Sequence, residues 1–416
     1  FKSLEINNTS PTVSSVTSVV ENGDFGTGDL IPIMMTFNKN VTVKGIPQLT
    51  LETGDSDAIV NYASGSGSKT LTFNYTSISG HLSSDLDYKS TESLSLGTAN
   101  IDSALSKDTN GNARDVTVSG KYAYLADGNS GLAIIDISNS ANLANPVYRD
   151  TDGSAYGIAV RGNYAYVADD DAGLAIIDIS NSESPGSPVY KNTDGASRGV
   201  AVRGNYAYVA DGGAGLSIIN ISNPESPGSP VYKNTGGFAS DISISGNYAY
   251  VADGDAGLAI IDISNPASPG NPIYVNTNGS SNKIAINGNY VYIADQDNLA
   301  IIDISNPTSP GSPIYKNTNG SARDVMVSGN HVFIANYTSG CAIINISDPT
   351  NPGNPVNKDL NDNSIGITTN GDNILIANDN LGLTLITPTI NDISDANGLG
   401  ATLTLPTPGG AGSLGA

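Results

Sequence analysis

The chain has 416 residues, of which 38% are hydrophobic and 14% are charged, whereas about 25% of the residues of an average soluble domain are charged. Its 18 Lys and Arg residues and 40 Asp and Glu residues give a net charge of -22, which repels the phosphate backbone of nucleic acids. No stretch reaches the roughly 18 consecutive apolar residues of a membrane span. The composition therefore excludes nucleic-acid binding and a membrane span in this chain, and it predicts a soluble, loop-rich protein.

The rare residue types exclude further classes of protein. One Cys excludes a disulfide framework and a thiolate metal site, and two His residues leave little for a His-rich zinc site. The chain begins with Phe1, so we expect that a targeting segment was removed or lies outside this sequence. Many Gly, Ser, Thr and Asn residues with few Lys residues are typical of bacterial or archaeal surface proteins, which predicts an extracellular or cell-surface location.

Short apolar segments separated by Gly- and Ser-rich turns run through residues 11 to 100. They include Ile31 to Phe37, Pro47 to Glu52, and a hairpin of Ala58 to Tyr62 and Thr70 to Tyr75. This pattern predicts an antiparallel β-sandwich.

A block that begins with Gly-Asn-Tyr-Ala-Tyr-Val-Ala-Asp then returns with a period of 41 or 42 residues. Its anchoring glycines are Gly120, Gly162, Gly204, Gly246, Gly288, Gly329 and Gly371. Each unit contains short segments rich in β-branched or aromatic residues and bounded by turn residues, without helical periodicity. Four strands in about 40 to 45 residues are typical of a propeller blade, so the units predict a seven-bladed β-propeller.

The seventh unit lacks its fourth strand, but a matching segment precedes the first unit. Leu105 to Val116 corresponds to Ile314 to Val325, which leads from one unit into the next. We therefore predict that the ring closes by N-terminal-strand pairing, with Ser106 to Thr109 as the outermost strand beside Leu383 to Ile386. Such pairing removes the free sheet edge of an open array.

Two resemblances to known families follow from these segments. The units resemble the LVIVD repeat of bacterial and archaeal surface propellers, through Tyr166 to Asp169 and Leu258 to Pro266. The N-terminal segment resembles the immunoglobulin-like (Ig-like) or cadherin-like modules of large surface adhesins, through Pro47 to Gly54 and Leu71 to Thr76. The resemblance implies an all-β chain that is one segment of a longer surface protein.

The closing residues of such a module occur here after the propeller. They are an Asp-Ala-Asn-Gly turn, a last strand and a Gly-Ser-Leu-Gly-Ala tail, at Asp395–Gly398, Ala401–Pro406 and Gly412–Ala416. Because ring closure brings the two ends of a propeller together, it can be inserted in a surface loop of another domain. We therefore expect residues 1–103 and 389–416 to form one Ig-like β-sandwich, and residues 104–388 to form a propeller inserted in it.

Variation inside the otherwise rigid repeat marks candidate ligand-binding residues. Arg114, Arg198 and Arg323 occupy equivalent positions at the expected channel entrance, where another unit carries Tyr156. Lys283 lies one place after the equivalent position of its own unit. These side chains are candidates for binding a carboxylate or an acidic sugar. The alternative is that the arginines are solvated partners of neighbouring Asp residues.

Carboxylates recur on the same face, in the middle hairpin of most units. Because clustered oxygen ligands suit calcium, the triple Asp169, Asp170 and Asp171 is a set of candidate calcium ligands on this face. The pair Asp85 and Asp87 is a separate candidate in the predicted sandwich. The alternative is that each hairpin Asp caps its own tight turn, and the repetition of the Asp favours that structural role.

Other conspicuous residues are predicted to be packing residues. The tyrosines of the second strands, such as Tyr122 and Tyr124, are expected to pack between blades, with saccharide stacking as the alternative. Cys341 replaces a repeated Leu and His331 replaces a repeated Tyr, so both are expected to be buried.

No Gly-x-Ser-x-Gly elbow, His pair or phosphate loop occurs in the sequence, and the uniform units lack the longer loop of a catalytic blade. We therefore expect a protein that is not an enzyme: an extracellular adhesion or display module that binds a glycan or a protein partner. One alternative is a self-assembling subunit of a filament or surface layer, in which Ala401 to Leu405 completes a neighbouring copy. A second alternative is a polysaccharide-acting enzyme that uses an acid pair.

Overall fold

A computed structural model of the protein describes residues 9–20, 25–54, 56–81, 83, 86–96, 104–371, 373–388, 392–394 and 400–408. These residues form strands, turns and irregular segments without a helix, which confirms the all-β prediction. Within this part of the chain there is accordingly no helix of the length and apolarity that a membrane span requires.

The strands are numbered β1 to β35 in chain order, and those outside the propeller belong to one connected sheet. They are β1 (Val13–Ser18), β2 (Leu30–Lys44), β3 (Gln48–Glu52), β4 (Ala58–Ser64), β5 (Ser68–Thr76), β6 (Asp87–Tyr88), β7 (Leu94–Ser95) and β35 (Asp392–Ser394). The strand order is β1-β2-β5-β4-β3-β6, with β35 on β2 and β7 on β3. The sheet curls around a single core as a half-barrel.

The predicted Ig-like sandwich of two sheets is not confirmed. The physical reason lies in β2, which is 15 residues long and shifts register between Thr36 and Val41. Its first half pairs with β1 and β5, and its last residues pair with β35. One strand thus joins strands that a sandwich would place in separate sheets.

Segments from both sides of the propeller contribute to the half-barrel. Val43 lies opposite Ile393 in the pairing of β2 with β35, and Ala401, Leu403 and Leu405 are buried in the same core. The expected boundaries at residues 103 and 389 lie outside the described residues, so their placement stays a prediction.

The propeller has seven blades, as predicted, and each sheet is antiparallel. Blades 1 to 4 contain β9 (Asp115–Ser119), β10 (Tyr122–Ala126), β11 (Leu132–Asp136) and β12 (Val147–Arg149); β13 (Gly157–Arg161), β14 (Tyr164–Ala168), β15 (Leu174–Asp178) and β16 (Val189–Lys191); β17 (Gly199–Arg203), β18 (Tyr206–Ala210), β19 (Leu216–Asn220) and β20 (Val231–Lys233); and β21 (Asp241–Ser245), β22 (Tyr248–Ala252), β23 (Leu258–Asp262) and β24 (Ile273–Val275). Blades 5 to 7 contain β25 (Ser281–Asn287), β26 (Tyr290–Asp303) and β27 (Ile314–Ala322); β28 (Asp324–Ser328), β29 (His331–Ala335), β30 (Cys341–Asn345) and β31 (Val356–Lys358); and β32 (Ser364–Thr369), β33 (Ile374–Asn378), β34 (Gly382–Ile386) and β8 (Ala104–Lys107).

In blade 5 the two middle strands are continuous as β26. Ile304 N donates to Asn289 O at 2.7 Å, as Ile263 N donates to Asn247 O at 2.8 Å in blade 4. The pairing of the second and third strands therefore ends with the same backbone hydrogen bond in both blades. The turn within β26 is tight because Gln296 has a positive φ of 56°.

The N-terminal strand closes the ring. β8 pairs antiparallel with β34, with Lys107 opposite Leu383, and the hydroxyls of Ser106 and Thr384 are 2.8 Å apart. The strand is Ala104–Lys107, two residues upstream of the predicted segment, because Thr109 has already left the sheet to bind Asp127. The closing joint otherwise follows the prediction.

Cores between neighbouring blades stabilise the ring. Tyr124 of blade 1 packs with Ile158 of blade 2, and its equivalents lie in the corresponding clusters. Cys341 and His331 are also buried, as predicted. Burial raises the pKa of the Cys341 thiol to about 12 and lowers the pKa of His331 to about 4.

The closing strand makes a testable contribution to stability. Leu105 packs on the core between blades 7 and 1, so Leu105→Asn should lower the free energy of unfolding by about 2 kcal/mol through lost apolar burial. Leu381, 36% exposed on the neighbouring hairpin, provides the control Leu381→Asn. Thermal unfolding followed by circular dichroism measures both, and equal melting temperatures for the two variants would contradict closure by β8.

Candidate functional site

A buried Asp at the tip of the middle hairpin ties that hairpin to the connection that enters the same blade. In blade 1, Thr109 Oγ1 donates to Asp127 Oδ1 at 2.7 Å, and Gly111 N donates to Asp127 Oδ2 at 3.0 Å. We call this pair of hydrogen bonds a carboxylate clamp. Blades 2 to 5 repeat it with Asp169, Asp211, Asp253 and Asp295.

The clamp corrects the predicted mechanism of the repeated Asp. Its role is structural, as favoured, but the carboxylate binds a connection 16 to 18 residues upstream instead of its own turn. The turn is closed by backbone bonds, for example from Asp127 N to Gly131 O at 2.8 Å. In blade 6, Asn336 replaces the Asp and bonds Thr318 through both its amide oxygen and its amide nitrogen.

The hairpin tips also pair with the connection that leads to the next blade. Asp170 forms a backbone bridge with Ser197, and Gly212 forms one with Ala239. Each connection is therefore fixed on two sides. Because Tyr156, Arg198 and Ser240 end these connections, their backbones have defined positions at the channel entrance.

Residues at or near the start of several inner strands form a charged cluster, which we call the throat: Asp115, Asp241, Lys283 and Asp324. Lys283 Nζ lies 2.8 Å from Asp115 Oδ2 and 3.5 Å from Asp241 Oδ1, and the Lys283 side chain is 14% exposed. The Asp residues also join blades, since Ile284 N donates to Asp241 Oδ2 at 3.1 Å and Ile367 N donates to Asp324 Oδ2 at 2.7 Å.

Burial and mutual interaction shift the pKa values of the throat. Burial lowers the pKa of Lys283, but attraction by Asp115, Asp241 and Asp324 outweighs it, so the net shift is upward. Burial raises the pKa of Asp324 to about 8, although Lys283 opposes the shift. Burial likewise raises the pKa of Asp241. Lys283 is thus engaged by carboxylates, which argues against its predicted ligand-binding role.

Three of the other four predicted ligand-binding residues stack in a row at the channel entrance. The Arg114 Cζ lies 4.7 Å and the Arg198 Cζ lies 3.8 Å from the centroid of the Tyr156 ring. We call these three residues the arginine rim. The row continues to Phe238, whose centroid is 5.8 Å from Arg198 Cζ. Arg323 instead stacks on Tyr337 at 4.7 Å.

The arginines differ in their hydrogen-bond partners. Arg198 Nη2 lies 3.1 Å from Asp170 Oδ1. Among the residues that the structure describes, Arg114 and Arg323 form no ion pair, and the Nε atoms of Arg114, Arg198 and Arg323 are buried without a hydrogen-bond partner. Stacking on aromatic rings therefore takes the place of pairing with carboxylates at Arg114 and Arg323.

An open pocket of about 540 Å³ lies beside Phe238. Its lining residues are Gly236, Gly237, Phe238, Ser240, Gly254, Asp255, Ala256 and Ser280, and we call it the Phe238 pocket. Phe238 and Tyr337 are not among the residues predicted from the sequence. The signal at Phe238 is its departure from the repeat, because neighbouring units carry Ala196 and Ser280 at that place.

The predicted calcium ligands do not converge where the structure describes them. Asp169 is buried in its clamp, Asp170 faces Arg198, and Asp171 is exposed. Asp85 lies outside the described residues, and Asp87 Oδ1 accepts a bond from Tyr88 N at 2.8 Å. The described ranges contain no group of three His, Cys, Asp or Glu side chains placed to bind a metal ion. Calcium binding stays a prediction.

The clamp can be tested at Asp253. Asp253→Ala leaves Thr235 Oγ1 and Gly237 N without their acceptor, so the free energy of unfolding should fall by about 2 to 4 kcal/mol. Asp255 is exposed on the same hairpin, and Asp255→Ala should change stability by less than about 0.5 kcal/mol. Urea titration compares the two variants, and a similar loss in both would reject the clamp.

The raised pKa values predict a pH dependence of stability. Burial raises the pKa of Asp253 to about 6 and of Asp324 to about 8, above the ordinary value of 3.8. Between the ordinary value and these raised values the folded chain binds more protons than the unfolded chain, so stability falls as the pH rises from about 4 towards 6 for Asp253 and towards 8 for Asp324.

We expect the melting temperature to rise when the pH is lowered from about 8 to about 6.5. Below that interval the lowered pKa of His331 opposes the effect, because its unfolded imidazole binds a proton that the folded one does not. Asp324→Asn should flatten the rise between about pH 8 and 6.5, whereas Asp255→Asn removes one exposed charge and should preserve its slope. An unchanged slope in Asp324→Asn would show that general charge repulsion causes the whole effect.

Comparisons with known proteins agree with the repeat architecture. The family model described as the LVIVD repeat matches residues 110–146, 152–191, 194–230, 236–277, 278–313 and 319–355, more than half of the chain. A comparison with curated proteins finds no match. The crystal structure of the computationally designed Ika8 protein is similar with a TM-score of 0.51 and 10% identity over 70% of this chain and 100% of that chain, a likeness of fold alone. The chain belongs to the LVIVD repeat family.

Proposed function

We propose that the protein is a non-catalytic extracellular adhesion or display module whose propeller binds an anionic ligand at the arginine rim. The ligand supplies a carboxylate, from an acidic glycan or from an acidic segment of a protein partner. The observation that carries this proposal is the stacked row of Arg114, Tyr156 and Arg198 at the channel entrance.

The charge balance of the chain makes this row unusual. Acidic residues outnumber basic residues by 40 to 18, so carboxylate partners for surface arginines are plentiful. Arg114 nevertheless contacts an aromatic ring and, among the described residues, no carboxylate. A guanidinium stacked on a ring keeps its N–H groups in its own plane, where they match a carboxylate in a two-point contact. The rim therefore offers cationic donors in an acidic protein.

Two further observations support a non-catalytic module. The buried residues His331 and Cys341 pack inside the blades, away from the rim, whereas nucleophilic catalysis needs such groups to converge in a cleft. Ala401, Leu403 and Leu405 pack in the core of their own half-barrel, which favours a self-contained module over a strand donated to a neighbouring copy.

Binding measurements test the proposal. Oligogalacturonate and poly-glutamate serve as anionic probes in isothermal titration calorimetry, because they share carboxylates and differ in backbone. Arg114→Gln and Arg198→Gln should each weaken binding of the anionic probe about tenfold or more, since each removes charge-assisted hydrogen bonds. Binding should also weaken with added salt where the contacts are exposed.

Arg203→Gln provides the matched control, because Arg203 is exposed at the other end of β17 and its loss changes the net charge equally. Unchanged affinity in both rim variants would reject the arginine rim as a ligand site and leave its stacking purely structural. Hydrolysis of a polysaccharide by the wild-type protein would instead favour the enzyme alternative.

A further inference from the structure

Phe238 is held in an unusual position for a large apolar side chain. It is 45% exposed at a place in the connection where the preceding and following units carry Ala196 and Ser280. One side of the ring lies on the hairpin tip of blade 3, since a Cβ at Gly212 would be 3.1 Å from the ring. The backbone of that tip therefore supports the ring while much of its surface stays open to solvent.

The surroundings of the exposed ring are polar. Apart from Phe238 and Ala256, the Phe238 pocket is lined by three glycines, by Ser240 and Ser280, and by Asp255. Asp255 is exposed, and it accepts no hydrogen bond from the described residues. The volume of about 540 Å³ lies in the range of small-molecule sites.

An apolar ring beside an unpaired carboxylate and hydroxyls suits a pyranose. The C–H face of a sugar ring packs on an aromatic face, and the sugar hydroxyls donate to carboxylate and serine oxygens. A purely apolar ligand would displace water from the exposed Asp255 carboxylate without replacing its hydrogen bonds, and an acidic peptide would gain little from a single aromatic ring. The lining of the pocket therefore favours a saccharide.

The pocket adjoins the arginine rim where Phe238, which lines the pocket, lies beside Arg198 of the rim. The Arg198 Cζ lies 3.8 Å from the Tyr156 centroid on one side and 5.8 Å from the Phe238 centroid on the other. Asp170 pairs with Nη2 of Arg198 alone, so an extended ligand that occupies the Phe238 pocket has the remaining N–H groups of this guanidinium within reach of its next unit.

We propose that the ligand is an oligosaccharide of hexuronic acids, with one pyranose ring on Phe238 and the carboxylate of the adjacent unit on Arg198. The inference rests on the proposed function, because it names the ligand class of the same rim. It adds a subsite whose determinants are Phe238 and Asp255.

The test uses three probes in calorimetry: oligogalacturonate, the same oligomer with methyl-esterified carboxyl groups, and poly-glutamate. We expect oligogalacturonate to bind more tightly than the ester and poly-glutamate. Phe238→Ala should weaken binding of oligogalacturonate about tenfold or more and leave binding of poly-glutamate unchanged. Asp255→Asn should weaken binding of oligogalacturonate by a smaller factor.

Phe25→Ala is the matched control, because Phe25 is 43% exposed in the half-barrel. If poly-glutamate binds through Arg198 but Phe238→Ala leaves oligogalacturonate binding unchanged, the saccharide inference fails and the anion-binding function stands. If none of the probes binds, both fail. Equal affinity for the free acid and its ester would overturn the assignment of the carboxylate to Arg198.

Discussion

The carboxylate clamp is the interaction on which the propeller face depends. Each clamp buries an Asp completely, which is costly unless the carboxylate is hydrogen-bonded. Thr and Gly in the incoming connection supply those bonds, and the Gly is obligatory in blade 2, where a Cβ at Gly153 would lie 2.1 Å from Asp169 O. Because the clamp fixes connections that otherwise have little regular structure, side chains at their ends can vary without loss of position. The repeated clamp thus holds the backbone of the connections in the same position in each blade, while the side chains at their ends differ.

The throat shows the opposite relation, in which variation at one position constrains the next blade. A Cβ at Gly199 would lie 2.5 Å from Asp241 Oδ1, and a Cβ at Gly366 would lie 2.8 Å from Asp115 Cα. At these two places, an Asp at the start of one inner strand therefore requires a Gly at the equivalent position of the preceding blade. Before Asp324 the corresponding residue is Lys283, whose ammonium compensates the carboxylates. The charge and size of the residue at this position therefore depend on the residues at the same position in other blades.

The repeat period was sufficient to predict the blades, their number and the origin of the closing strand, because strand alternation and turn residues are local properties. Features that depend on long-range geometry were harder to predict. The strand β2 has ordinary alternation, and nothing in that pattern indicates that it joins β1, β5 and β35 in one half-barrel. Asp127 accepts a hydrogen bond from Thr109, which lies in the connection before the blade. The Asp-Gly sequence by itself favours a cap of the local turn, so this partner could not be predicted. At the candidate site, sequence variation located Arg114, Tyr156 and Arg198, whereas the engagement of Lys283 by Asp115 required the ring to be closed in space.

The order of the strands along the chain also has a consequence for how the protein folds. The hydroxyl pair that marks ring closure joins residues 278 positions apart, and the pairing of β2 with β35 encloses that interval completely. Two long-range closures are therefore nested along the sequence: the residues that close the propeller ring lie between the two strands, β2 and β35, that complete the half-barrel sheet. During vectorial synthesis β8 and β2 emerge early, and each must stay without its final partner until the last blade has been made. Contacts of such sequence separation are slow to form and leave sheet edges exposed meanwhile, so a chain shortened by a few dozen residues at its C-terminal side loses the completion of both domains at once.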